Sequence, residues 1–323
     1  MSATISELSF TSYELKFTPL RVSTMVTTAQ LGITLDIPKL FAEIPLIDYW
    51  NLSNGVLKIE SGKGVRGVSW RDVMRDEKKE KSFFNQATVV VRMEVAEKYW
   101  KEINIKLFQN GGVQMTGVRS EKMAYNAIDW LIKFIQTHIP HVVGKGDLHI
   151  HKCEVQLINS DFSIGAPIRR EALHSVLKDT YHLASLYEST IYQGVKTKYF
   201  FNDTKPEDSF PGICACPTRC KGNGNGSGSG QCKKVTISPF QTGQVIIQAS
   251  GLPSGSMAHI EEASKFIQSV FTTHIDKVIR KQYVLPEVAT EKLKESETKT
   301  KSIIPHPAPR HVFKIPSDLL DES

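Results

Sequence analysis

The sequence predicts an α+β fold in which two copies of one unit share a single antiparallel sheet. Residues 103–139 and 235–275 carry the same order of features: an alternating strand ending in Phe-Gln, a glycine turn, a second alternating strand, and an amphipathic helix ending in Thr-His-Ile. Four extra residues precede the helix of the second copy. Two copies are too few for a solenoid, whose stacked units number at least about three. We therefore expect a closed, pseudo-symmetric pair of repeats.

The composition supports a folded protein with a substantial core. Of the 323 residues, 40% are hydrophobic, and no apolar run reaches the roughly 18 residues that a membrane span needs. The first residues, MSATISELSF, lack the charged and then apolar plan of a secretory signal. We therefore expect neither membrane insertion nor secretion. The net charge of +6 permits a polyanionic partner without requiring one.

Repeat 1 is predicted at residues 19–141, after a flexible arm at 1–18. Dense β-branched residues over 20–35 predict its first strand. A short helix follows at about 38–44, where a proline suits the first turn. An insertion at about 45–82 contains glycine turns around a small hairpin, and then the mixed-charge run RDEKKEK, which is typical of a solvated loop.

The second part of repeat 1 contains the clearest helix signal. A strand at 87–93 and the hairpin at 103–116 lead to a helix at 120–139. In this helix, apolar residues recur at positions i, i+3, i+4 and i+7, so one helix face is predicted to pack on the sheet.

Repeat 2 is predicted at residues 148–283 with the same order of elements. The elements are a strand at 153–159, a helix at about 167–178, a strand at about 190–201, the hairpin at 235–248 and a helix at 256–281. A Cys- and Gly-rich insertion occupies about 203–232. The proline-rich residues 284–323 are predicted to form a disordered tail.

Strand alternation defines an open sheet face in both hairpins. Side chains alternate between the two faces of a strand, so the apolar set in each hairpin is predicted to face the helices. The opposite face is left uncovered, as is common in antiparallel sheets. Isolated phenylalanines at strand ends more often pack in a core. Here, alternation places both Phe108 and Phe240, which end the first strand of each hairpin, on the open face. Its members are Asn104, Lys106, Phe108, Gln114, Thr116, Thr236, Ser238, Phe240, Ile246 and Gln248.

Several segments, in the right order across both repeats, carry the pattern of a known family. They are STMVTTAQLGITLDI (23–37), VVVRM (89–93), LFQNGGVQMTGVRSE (107–121), CEVQLINSDFSIGAPIRREAL (153–173) and LYESTIY (186–192). Together they resemble the TATA-box-binding protein family, and most closely its divergent members in large DNA viruses. The resemblance implies a saddle: one curved antiparallel sheet with helices on its convex side, and a concave face that enters a widened minor groove of DNA.

In this family, paired aromatic residues kink DNA by partly unstacking base steps. By resemblance these wedge positions fall on Phe108, Phe240 and Tyr187. The fourth falls on Gln86, which cannot act as a wedge, and Phe84 on the same face is the expected substitute.

The family's groove-reading residues are only partly kept. Its central asparagine pair falls on Thr24 and Leu157, while Asn159 lies on the same face two residues further along. The residues expected at the groove and backbone are Thr24, Val26, Arg92, Asn104, Lys106, Gln114, Thr116, Arg119, Asn159, Thr236, Ser238, Ile246 and Gln248. Two interpretations of the polar members stay open: an ordinary solvated sheet face, or hydrogen-bond donors to base edges, sugars and phosphates.

Four of the five cysteines lie close together, at Cys214, Cys216, Cys220 and Cys232. Four thiolates can hold zinc in a tetrahedral site. The spacing C-x-C-x3-C-x11-C differs from the usual pair of C-x2-C knuckles, and the Gly/Asn/Ser spacer has the composition of a flexible linker. A structural zinc site and a metal-free loop both remain open, and no other cofactor is expected.

The predicted function is that of a non-enzymatic, DNA-binding transcription initiation factor of a virus. The expected partners are double-stranded DNA and, by resemblance, a factor like transcription factor IIB and a multisubunit RNA polymerase. The site of action would be the host nucleus, a cytoplasmic viral factory or the virion. The alternative is a protein-interaction or virion structural module with the same fold that has lost DNA binding, which the altered asparagine pair and the missing fourth wedge support.

Overall fold

The computed structural model describes residues 9–11, 15–74, 84–206, 209–280 and 282–284. The chain forms two compact units, Glu14–Arg280 and a second that combines Met1–Tyr13 with Lys281–Ser323. Within the second unit, the backbone of β1 (Ser9–Thr11) pairs antiparallel with a strand at Gln282–Val284, so the predicted N-terminal arm contains one paired strand. Most of the predicted arm and tail, and the whole of the charged run at 75–81, lie outside the described residues.

Repeat 1 begins with a β-branched strand, and two of its helices begin at side-chain caps. The Asp36 carboxylate accepts a hydrogen bond from the Lys39 amide at 3.0 Å, and the Ser120 hydroxyl accepts one from the Met123 amide at 3.1 Å. Such caps satisfy amides that have no partner within the helix. The elements are β2 (Arg21–Gln30), α1 (Ile37–Glu43), β3 (Gly55–Ser61), β4 (Gly64–Gly67), α2 (Trp70–Val73), β5 (Gln86–Ala96), β6 (Tyr99–Phe108), β7 (Gly112–Val118) and α3 (Glu121–His138).

Repeat 2 has the same order of elements with two differences from the sequence prediction. A short strand, β9, was not predicted separately, and the last helix is divided at His274. The elements are β8 (Lys152–Ser163), α4 (Arg170–Ser175) with a π-helical turn at Val176–Thr180, β9 (Ala184–Glu188), β10 (Tyr192–Phe201), β11 (Lys233–Pro239), β12 (Gln244–Ala249), α5 (Ala258–Thr273) and α6 (Ile275–Val278). The strand at Gln282–Val284 is β13.

Eleven strands form one sheet in the order β4-β3-β5-β6-β7-β2-β8-β12-β11-β10-β9, and each neighbouring pair is antiparallel. The order reads outward symmetrically from the central pair β2 and β8. Strand β7 corresponds to β12, β6 to β11, β5 to β10 and β3 to β9, while β4 has no counterpart. Strand β3 therefore belongs to the shared plan, although it lies within the predicted insertion at 45–82.

The helices pack mainly on one face of this sheet. Helix α3 contacts β5 and β7, while α5 contacts the strands from β10 to β12. The apolar side chains predicted to face the helices are all buried, and each fully buried aliphatic side chain stabilises the fold by about 1.5–3 kcal/mol. They are Ile103, Ile105, Leu107, Val113, Met115, Val235, Ile237, Val245 and Ile247. The predicted α+β class is confirmed.

One short helix departs from the expected one-sided arrangement. The backbone amide of Trp70, at the start of α2, donates to the Glu102 carboxylate at 3.0 Å. Glu102 has the strand parity of Asn104 and so belongs to the face opposite α3 and α5. Helix α2 therefore lies at the outer end of that face. No helix in the described part of the chain has both the length and the apolar character needed to cross a membrane.

Candidate nucleic-acid interface

The sheet face opposite α3 and α5, which we call the open face, is centred on the contact between the two repeats. Thr24 of β2 pairs with Asn159 of β8, and Val26 pairs with Leu157. All four side chains are half-buried, so they are accessible without being fully solvated. The Thr24 hydroxyl accepts a hydrogen bond from the Gly117 amide at 3.3 Å.

Repeat 1 extends this face as two rows of half-buried polar side chains. Asn104 pairs with Thr116, and Lys106 pairs with Gln114, between β6 and β7. Among the described residues, none of these four side chains has a hydrogen-bond or ion-pair partner. Their donors therefore remain available for a ligand on the face.

In repeat 2, the two glutamines of the hairpin are already paired with side chains of β8. The Gln248 amide donates to Asn159 Oδ1 at 2.7 Å, and the Gln244 amide donates to Asp161 Oδ2 at 2.8 Å. Arg21 Nε also donates to Asp161 Oδ2, at 3.0 Å. Asp161 was not predicted as part of the site, although period-2 alternation from Asn159 places it on the same face. Asp161 is only 8% exposed, and its carboxylate is ion-paired with the exposed Arg21 guanidinium.

The two hairpin phenylalanines lie at equivalent ends of β6 and just beyond β11. Both are half-buried, and by strand parity both belong to the open face rather than lying under a helix. The Phe240 ring meets the Tyr192 ring edge-on, with centroids 5.6 Å apart. Phe108 has no such ring partner among the described residues and lies opposite Gln86.

Phe84 lies immediately before β5 and is 77% exposed. Its ring packs against the backbone of Gly62, where a side chain would have no room. Phe84 thus offers an exposed aromatic ring close to Gln86, which stands at the fourth wedge position and has no ring.

No protein-family model matches the sequence. A TATA-box-binding protein-like protein of Acanthamoeba polyphaga mimivirus is 25% identical over 276 residues, which cover 80% of this chain and 66% of the viral protein. The predicted resemblance to the TATA-box-binding protein family is confirmed. The chain spans about two thirds of the length of that relative. A solved structure of Methanococcus jannaschii TBP is also similar, with 14% identity, a TM-score of 0.43, and coverage of 79% of this chain and 99% of that one.

Tyr187 does not occupy the family's wedge position, which corrects the prediction. In β9 its neighbour Leu186 pairs with Lys196 of β10, and Lys196 belongs to the open face. Alternation then turns Tyr187 toward the helices, where its ring lies beneath the Arg170 guanidinium of α4 at 5.2 Å. The aromatic residue that accompanies Phe240 is Tyr192, at the start of β10, which the sequence analysis did not select.

Arg92 is buried, so the prediction that it contacts DNA phosphates is wrong for this structure. It is 6% exposed, and its Nη1 donates to the backbone carbonyls of Tyr49 and Asn51. Its guanidinium also lies over the Tyr49 ring at 4.9 Å and within 3.5 Å of the Glu102 carboxylate. The guanidinium therefore fastens the repeat 1 insertion to the sheet. Arg119, in contrast, is exposed at the end of β7, as its predicted role requires.

Ser238 is 1% exposed, so the prediction that it offers a hydroxyl to a ligand is wrong for this structure. It lies opposite Ile246, between Thr236 and Phe240 on the same face, and a short side chain there is enclosed by larger neighbours. Thr236 and Ile246 themselves are half-buried, as are the other predicted hairpin members.

The outer strands of repeat 2 add residues that the sequence prediction lacked. Lys196 and Lys198 are exposed on β10, and Lys198 pairs with Thr236 on the open face. Leu186 and Ile191 are 63% and 84% exposed. Alternation along β10 is the signal that identifies the two lysines once Thr197 is known to be buried.

The four clustered cysteines converge in the repeat 2 insertion. Their Sγ atoms all lie within 4.8 Å of one another. Burial alone raises the pKa of the Cys214 thiol, but hydrogen bonds from the backbone of Cys220 and Cys216 outweigh burial and lower that pKa to about 6. The insertion lies at the end of the open face, because Gly222 packs against Phe200 and Lys234.

Proposed function

We propose that this protein is a viral transcription initiation factor that binds promoter DNA in the minor groove and bends it. The observation that carries the proposal is the pair Phe108 and Phe240, half-exposed at symmetric ends of hairpins on the open face. The mimivirus relative, whose name refers to binding the TATA box, supports the same assignment.

The chemistry of the open face suits a minor groove. Base edges in that groove present mostly acceptors, and the amides of Asn104 and Gln114 offer unpaired donors. Two apolar wedges that partly unstack base steps cost a few kcal/mol per step, which a larger contact area offsets. Lysines 106, 196 and 198 supply charge for phosphates, whose neutralisation releases bound counterions.

The proposed role is one of binding and shaping DNA rather than catalysis. The outer surface formed by α3 and α5 is the proposed site for a factor like transcription factor IIB and a multisubunit RNA polymerase. Action would take place wherever the viral DNA is transcribed, in the host nucleus, a cytoplasmic factory or the virion.

Fluorescence anisotropy with A·T-rich and random duplexes, across a salt series, tests the proposal. We expect nanomolar to micromolar binding that weakens steeply with salt, since each neutralised phosphate contributes a slope of about −0.9. Binding to neither duplex at low salt would overturn DNA binding.

The second candidate is a protein-interaction or virion structural module. Asp161 favours it, because its carboxylate engages Arg21 and Gln244, two side chains that could otherwise contact DNA. The same titration separates the two candidates, because the structural module predicts no salt-dependent binding to either duplex.

A further inference from the structure

The four cysteine sulfurs of the repeat 2 insertion lie close enough together to bind one metal ion, all within 4.8 Å of one another. Cys214 and Cys220 are 3.6 Å apart at Sγ, Cys216 and Cys232 are 3.4 Å apart, and Cys214 and Cys232 are 3.8 Å apart. Four thiolates at about 2.3 Å from a zinc ion lie about 3.8 Å from one another. We propose that these four cysteines hold one structural zinc ion.

Hydrogen bonds to sulfur extend the site beyond the four thiolates. The Gly230 amide donates to Cys216 Sγ at 3.1 Å, and the Asn202 side-chain amide donates to Cys232 Sγ at 3.5 Å. The Asn202 amide also donates to the Gly228 carbonyl at 2.8 Å, which fixes its orientation. Such outer contacts orient metal ligands and stabilise their charged form.

The spacer between Cys220 and Cys232 is folded around the cluster rather than extended as a linker. Gly224 donates to the Cys232 carbonyl at 3.0 Å, and Gly226 donates to the Gln231 carbonyl at 2.7 Å. Gly226 and Gly230 have φ values of 88° and 77°, which residues with a side chain rarely adopt. The glycines therefore serve the tight turns that bring Cys232 back to the other three ligands.

Disulfide bonding does not account for this geometry. A disulfide joins two sulfurs at about 2.05 Å, whereas all five cysteines are free and the clustered sulfurs approach to no less than 3.4 Å. Zinc with four thiolates carries a net negative charge, and the Lys205 ammonium interacts electrostatically with Cys214 and Cys232.

The position of the cluster explains what the metal does. The insertion leaves the sheet after Phe201 and returns at Lys233, and its turns pack on Phe200 and Phe201 through Gly222 and Gly226. In repeat 1, the strand position equivalent to Phe200 is Arg92, whose guanidinium holds the other insertion by hydrogen bonds. Phe200 cannot form such bonds, so zinc fastens the insertion in repeat 2.

Metal analysis of the purified protein, prepared without chelators, tests this assignment. We expect one zinc per chain, and loss of that zinc in Cys214→Ser and Cys232→Ser variants. Cys153→Ser is the matched control, since Cys153 is exposed and lies outside the cluster; this variant should keep its zinc. None of these readouts depends on DNA binding, so the assignment fails or holds separately from the proposed function.

A second measurement covers the case in which a cysteine variant fails to fold. Replacing zinc by cobalt in the unmutated protein should give sulfur-to-cobalt charge transfer and the visible bands of tetrahedral cobalt. Chelation should increase proteolysis within residues 202–232 and leave the strands of the sheet protected. The proposal is overturned if the protein contains no zinc and gives no such cobalt spectrum, if iron occupies the site instead, or if mass spectrometry finds the cysteines in disulfides.

Discussion

The two repeats build the same part of the sheet but leave their hairpin amide side chains in opposite states. In repeat 1, Asn104, Lys106 and Gln114 have no partner within the described residues. In repeat 2, Gln248 and Gln244 are each bound to a neighbour on β8. A shared fold therefore does not imply a shared contribution to binding.

The difference has an energetic consequence for a ligand on the open face. The engaged amide hydrogens of Gln244 and Gln248 must break an internal hydrogen bond, worth about 1 kcal/mol, before they can bind DNA. A free side chain of repeat 1 pays no such cost. We therefore expect the hairpin amides of repeat 1 to contribute more to DNA affinity than those of repeat 2.

The largest expected effect is on DNA bending and comes from Phe108 and Phe240, which occupy equivalent positions in the two repeats. Phe108→Ala combined with Phe240→Ala should abolish bending of a bound duplex, because no apolar side chain would then unstack the base steps at the hairpin ends. Resonance energy transfer between dyes at the two duplex ends measures the bend, and circular dichroism checks the fold. A double variant that bends DNA as well as the parent does would rule out the wedge role.

Acid should destabilise repeat 2 through a buried histidine that repeat 1 lacks. His259 of α5 is fully buried, and burial lowers its pKa from 6.5 to about 4. Met123 takes the equivalent place in α3 when the Thr-His-Ile ends are aligned. The unfolded chain takes up the proton at a higher pH than the folded one, so the stabilisation is complete above about pH 6.5 and is lost as the pH falls toward 4.

The expected loss between pH 7.5 and pH 5 is about 2 kcal/mol in the free energy of unfolding, measured with urea. His259→Gln should remove this part of the pH dependence. Hydrogen exchange at the two pH values should show α5 losing more protection than α3. Equal losses in the two helices would contradict the difference between the repeats.

Matched truncations on the open face test which repeat contributes more to affinity. Asn104→Ala and Gln114→Ala should each weaken DNA binding by about 1–2 kcal/mol, because free donors are lost. Gln248→Ala should have a smaller effect, since its amide is engaged by Asn159. Lys106→Ala should reduce the slope of log affinity against log salt by about one. Anisotropy titrations provide all four values, and a larger effect of Gln248→Ala would reverse the assignment.

The smallest expected effect is a gain in DNA affinity. Asp161→Asn removes the carboxylate that neutralises the exposed Arg21 guanidinium, and it keeps an oxygen that can accept from Gln244 and Arg21. DNA affinity should rise by about 1 kcal/mol, or roughly fivefold, at low salt. The gain should shrink at high salt as the charge is screened. Unchanged affinity at low salt would place Asp161 outside the DNA contact.

The sequence correctly predicted the buried strand residues, which depend only on the local alternation of side chains. Alternation identified the buried set around Ile105 and Ile247, because side-chain direction in a strand follows from its neighbours alone. Tyr187 was misplaced because the facing of β9 is set by its pairing with β10, where Leu186 lies opposite Lys196 and takes the open face. Arg92 was misplaced because its partners, Tyr49 and Asn51, come from a segment about 40 residues away. Sequence spacing alone left the cysteine geometry open.

The central pairing of β2 with β8 sets the order in which the protein can assemble. Arg21 and Asp161 are 140 residues apart, yet they lie side by side on these strands. While the ribosome is still making repeat 2, β2 pairs with β7 on one side only, and its other side is a free edge that another chain can extend. Contacts across such a distance also slow folding. Repeat 1 expressed alone should consequently associate with itself through β2, and the intact protein should depend on chaperones until β8 emerges.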